Sequence, residues 1–134
     1  MKNVIFIILV LLSTLPGCKK SEDTTSEFTN KIELGTGIDP SNSFNLTGVG
    51  TTFSSTANIY FRLESQDDMG GSTVKIQVMR SNGTLYNAWD YPNPQSYGHI
   101  MLSAFKIAET GNFTVSGILV NGSKTISSIA VVIN

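Results

Sequence analysis

The chain carries one cysteine, one histidine and one tryptophan in 134 residues, and only 14% of it is charged. Each scarcity removes a class of chemistry. A lone cysteine, Cys18, cannot close an internal disulfide, and no Cys/His cluster exists to hold zinc. A lone histidine, His99, is the one base a serine triad could use, yet no serine lies in a G-x-S-x-G elbow or another nucleophile context. The charged fraction falls well below the roughly 25% of an average soluble protein. Nine Lys/Arg stand against ten Asp/Glu, with no basic run, so nucleic acid is not an expected partner. Carboxylates suited to cutting a glycosidic bond reduce to Asp67-Asp68, and consecutive residues rarely converge on one bond. No segment shows a helical period of 3.6 residues. The expectation is a protein that is not an enzyme and needs no cofactor.

A long apolar run occurs once, over residues 4–12, behind Lys2. It is too short for a bilayer, which takes about 20 such residues, and fits the core of a signal peptide. Leu15-Pro16-Gly17-Cys18 follows. This resembles the lipobox of bacterial lipoproteins, which implies cleavage after residue 17 and a fatty acid such as palmitate on Cys18. Lys19-Lys20-Ser21-Glu22-Asp23-Thr24-Thr25-Ser26-Glu27 has no apolar periodicity and reads as a solvated tether. A cysteine followed by lysines and then acidic residues resembles the mature N-termini of Bacteroidota lipoproteins. Asp23-Thr24-Thr25 resembles the short sequence on which that group places O-glycans. The organisation expected is a signal peptide (1–17), a lipidated tether (18–27) and one domain (28–134). Its expected address is the outer membrane, held by lipid, with the cell surface favoured over the periplasmic face.

Within the domain, Lys31, Arg62, Lys75, Arg80, Lys106 and Lys124 nearly balance Glu33, Asp39, Glu64, Asp67, Asp68, Asp90 and Glu109. Ser, Thr, Asn and Gly replace the missing charge, which suits strands and tight turns. Ile59, Phe61 and Leu63 alternate with polar-tipped neighbours, as do Val74, Ile76 and Val78, so 58–64 and 73–80 are predicted strands with one buried face. Asn82-Gly83 and Asn121-Gly122 predict hairpins with type I′ turns. In the last strand Ile126 and Ile129 differ in parity, and a bulge near Ser127-Ser128 would reconcile them. Further strands are expected at 32–35, 44–48 and 100–107. About seven short strands with regular turns predict an all-β sandwich or barrel.

Glu109-Thr110-Gly111-Asn112-Phe113-Thr114-Val115 resembles the E–F corner and strand F of immunoglobulin-like domains. The resemblance covers the last 35 residues or so and implies an immunoglobulin-like β-sandwich. Phe113 stands where a tyrosine hydroxyl would tie the corner, so that hydrogen bond cannot form. A lipocalin-like or jelly-roll arrangement is the alternative.

One segment breaks the alternation. Residues 85–99 gather Tyr86, Trp89, Tyr91 and Tyr97 with Asn87, Asp90, Asn93 and Gln95, and Pro92 and Pro94 argue against a central strand. Read as a loop over 86–97, it offers what a sugar or peptide site needs: flat rings beside groups that fix orientation. The candidate ligand contacts are Tyr86, Trp89, Asp90, Tyr91 and Tyr97, which Tyr60 and Met79 would extend. The structural alternative is that Trp89 plugs one end of the sandwich. Asp67 and Asp68, running into Met69-Gly70-Gly71, are weak calcium candidates that would need Asp39 or Asp90 nearby. Two functions follow: an envelope module that binds another protein, or a carbohydrate-binding surface lipoprotein using 86–97. A sheet edge at 32–35 or the C-terminal strand would suit a partner strand.

Overall fold

The computed structural model describes residues 27–134. The expected signal peptide, Cys18 and the expected tether through Ser26 lie outside the described residues. Ten strands follow in order: β1 (Lys31–Gly35), β2 (Gly37–Ile38), β3 (Leu46–Thr47), β4 (Thr52–Phe53), β5 (Ile59–Glu64), β6 (Thr73–Arg80), β7 (Leu85–Pro92), β8 (Ile100–Phe105), β9 (Gly111–Leu119) and β10 (Lys124–Ile133). Seven of them have five residues or more, namely β1 and β5 to β10. Among the described residues the one helical element is a 3-10 turn, Gln95–Tyr97.

The chain is an all-β sandwich. A three-stranded sheet runs β1-β5-β8, a five-stranded sheet runs β4-β10-β9-β6-β7, and β2 pairs with β3 as a small hairpin. The chain crosses from β5 to β6, returns from β7 to β8 and crosses again to β9. Lettering β1, β5, β6, β8, β9 and β10 as A, B, C, E, F and G gives sheets A-B-E and G-F-C, the division the immunoglobulin resemblance implies.

Alternation builds the core. Ile59, Phe61 and Leu63 from β5 and Val74, Ile76 and Val78 from β6 are each 0% exposed. Their apolar faces meet between the sheets with Val115, Val131 and Ile133. β9 comes so close to β5 that a Cβ built on Gly117 would lie 2.5 Å from Leu63 Cδ1. The bulge in β10 falls between Thr125 and Ser127, slightly earlier than expected, and leaves Ile126 buried on the same face as Val131.

Four expectations need correction. Asn82-Gly83 does make a hairpin, but Gly83 alone has positive φ, at 82°. The Gly83 amide bonds Arg80 O and the Arg80 amide bonds Thr84 O, a three-residue loop rather than a type I′ turn. At the second hairpin the positive φ falls on Gly122 and Ser123, not on Asn121. The strand expected over 44–48 shrinks to Leu46–Thr47, because its partner is the two-residue β2. The 86–97 loop is not a loop for most of its length: β7 pairs with β6 from Leu85 to Pro92. β7 is an edge strand with Pro92 at its end, where a missing N–H breaks no ladder bond. A register shift between Val78 and Met79 breaks its alternation at Tyr86.

Candidate functional site

The aromatic segment divides into three places. Tyr86, Trp89 and Tyr91 all turn toward the space between the sheets. Trp89 stacks on Phe105 with centroids 5.5 Å apart and planes 29° from parallel. Tyr91 meets Phe61 edge-on at 5.3 Å, and its hydroxyl donates to Ala104 O at 2.8 Å. That bond crosses from the edge of one sheet to the edge of the other. Burial pushes the Tyr91 hydroxyl above its ordinary pKa, because the phenolate would lose its hydration. Tyr86 stands edge-on to Phe113 at 5.5 Å, beneath the Arg80 guanidinium. Tyr97 faces elsewhere, edge-on to Phe44 at 5.3 Å. Asp90 is exposed and 4.0 Å from Lys75. The five residues therefore form no common platform. Three line the sandwich mouth, one joins the hairpin side, and Asp90 lies on the solvent face.

The polar candidates are held in structural contacts. His99 Nδ1 lies 2.9 Å from Ser65 O, so it carries the proton and donates there. The His99 ring stacks flat on Phe28, 4.3 Å away at 5°. Asp67 is paired with Lys124, while Asp68 Oδ1 accepts the Gly70 amide at 2.8 Å. Asp39 accepts the amide and hydroxyl of Ser41, which hold its carboxyl below the usual range. Among the described residues no group of three or more His, Cys, Asp or Glu is gathered to hold a metal ion.

Both ends of the sandwich carry organised loops. The chain arrives through Phe28, Thr29 and Asn30, beside the loops that hold Gln66 and His99. The Thr29 amide and hydroxyl donate to Glu64 Oε1, at 2.7 and 3.0 Å, and Asn30 Oδ1 accepts the Gln66 amide. The Thr29 amide, then Arg62, hold the Glu64 carboxyl below its ordinary pKa. At the opposite end a polar depression of about 170 Å³ lies between the 81–83 loop and the corner at Glu109. Arg80 grips Glu109 there through Nε and Nη2 at about 2.9 Å, which lowers the Glu109 pKa.

Sequence reasoning missed the tie of that corner. The Ala108 amide donates to the Tyr86 hydroxyl at 2.9 Å, so a tyrosine does secure the corner, from β7 rather than from position 113. No local signal pairs 86 with 108. A search against known families finds no model that matches the chain, and a comparison with curated proteins finds no significant match.

Proposed function

We propose that this chain is a non-catalytic interaction module of the bacterial envelope, held to the outer membrane by a lipid on Cys18. The observation that carries it is the state of His99, the one imidazole the chain has. Its ring is stacked on Phe28 and its Nδ1 is committed to a backbone carbonyl. Among the described residues its one side-chain hydrogen bond is to that carbonyl and not to a serine hydroxyl, which favours a non-catalytic reading over acyl transfer. Support for the tether comes from Phe28, Thr29 and Asn30, which fix where the chain leaves the domain, next to residues 18–27.

A carbohydrate site on 86–97 is the other function the sequence raised. Against it stand Trp89, which spends a face on Phe105, and Tyr91, which is packed edge-on with Phe61 and ties its hydroxyl to Ala104 O. Fractionation tests the proposal. The native protein should partition with the outer membrane, and a Cys18→Ala variant should leave it with an unchanged melting temperature. Equal distribution of both proteins would contradict the anchor. Binding of the native protein to a polysaccharide panel, abolished by a folded Trp89→Phe variant, would favour the sugar function instead.

A further inference from the structure

The sandwich has four lateral edges, and one differs from the rest. β7 presents the outward backbone of Ala88, Asp90 and Pro92, because the Asn93 amide bonds Ser72 O and the direction alternates from there. That edge is guarded. Pro92 has no N–H, Asp90 is charged, and the Ala88 amide is taken by Asn87 Oδ1 at 2.8 Å. β1 carries Lys31 and Glu33, and its Leu34 carbonyl accepts the Gly50 amide at 3.0 Å. β10 is covered by β4 at Val132 and Ile133 and bent by its bulge further along.

β8 has neither charge nor proline to guard it, and among the described residues only the Ala104 carbonyl of its outward groups is taken, by the Tyr91 hydroxyl. Its six residues, Ile100-Met101-Leu102-Ser103-Ala104-Phe105, include no charge and no proline, and its pairing with β5 runs without a shift. The Ser65 amide bonds His99 O, so Met101, Ser103 and Phe105 turn their backbone toward β5. Ile100, Leu102 and Ala104 turn theirs outward, as the Tyr91 hydroxyl on Ala104 O attests. Among the described residues no strand lies against this side. An uncharged apolar edge left open is a template for another strand.

We propose that this edge pairs with the β8 of a second copy, antiparallel about a two-fold axis at Leu102. A two-fold places every residue near its own copy, so a charged strand would repel itself. Glu33 of β1 and Asp90 of β7 make those edges unsuitable, whereas β8 has no charge to oppose. In this register Leu102 faces Leu102 of the second copy, and Ile100 faces Ala104. The outward N–H and C=O of Leu102 bond their counterparts. Ala104 O keeps a second lone pair for the incoming amide beside Tyr91. The two three-stranded sheets then join into one.

The lipidated protein, purified in detergent, tests this by sedimentation. The native chain should be a dimer. A Leu102→Lys variant should stay folded by circular dichroism and associate at least roughly tenfold more weakly. A Leu102→Cys variant should cross-link to its copy on mild oxidation, because directly opposed Cα atoms in such a pair lie about 5.5 Å apart. Thr114→Cys, on the other sheet, should not cross-link. A monomeric native chain would overturn the proposal. So would a dimer that forms no cross-link through position 102, including one that joins through a strand of another protein in its place. Either result leaves the anchor on Cys18 untouched.

Discussion

The Tyr86 hydroxyl accepts the Ala108 amide at 2.9 Å, joining the edge strand β7 to the turn before β9. The same ring lies edge-on to Phe113 and under the Arg80 guanidinium, 5.2 Å from its centroid. One side chain thus fixes the corner, the edge strand and the Arg80–Glu109 pair together. Tyr86→Phe keeps the ring and removes the acceptor. It should lower stability by about 1 kcal/mol in denaturant unfolding. An unchanged midpoint would show that the amide is equally well served by water.

Much of this fold was legible because a strand with one buried face writes a period of two. β5 and β6 are read from Ile59, Phe61, Leu63 and Val74, Ile76, Val78 alone. The hairpins were legible from Asn-Gly, although their turn types were not, since flanking residues set the loop length. β7 was hidden for a physical reason. The register shift at Tyr86 places Tyr86 and Trp89 on one side despite opposite parity. Pro92 then looks like a strand breaker, when it sits at the end of an edge. β2, β3 and β4 are two residues each, too short to carry a period. The aromatic residues stand out together in the sequence, but sequence does not distinguish a ring offered to a ligand from one stacked on Phe105, nor does it separate Tyr97 from the rest.

Gly117 marks a close approach of the sheets. Both methyls and Cγ of Leu63 lie within 3.1 Å of where its Cβ would be, and Leu63 is fully buried. Gly117→Ala should therefore cost about 1–3 kcal/mol through overpacking. Thermal unfolding reads this directly, and a variant as stable as the native chain would show that the sheets part freely.

Trp89 should matter to stability rather than to ligands. Trp89→Ala removes a ring stacked on Phe105 and should cost about 3 kcal/mol, the low end of the range for large core aromatics because the ring is half-buried. Trp89→Phe should recover most of that. Loss below about 1 kcal/mol for the alanine variant would mean that the ring is not part of the core.

Acid should loosen the end of the sandwich that holds Thr29 and Glu64. The Glu64 carboxyl has a folded pKa below its ordinary value of 4.5, chiefly because the Thr29 amide bonds the ionised form. A depressed folded pKa contributes stability that is complete above 4.5 and is lost as pH falls through the lower folded value. Stability should decline below that pH in the native chain and decline less steeply in Glu64→Gln. Parallel acid limbs in the two proteins would remove Glu64 from the account.

The intact mass of the mature protein tests the central claim most directly. A chain beginning at Cys18 and carrying the added mass of fatty acyl groups, absent from Cys18→Ala, is the result predicted. A mature chain that begins elsewhere, or begins at Cys18 with an unmodified thiol, would contradict it.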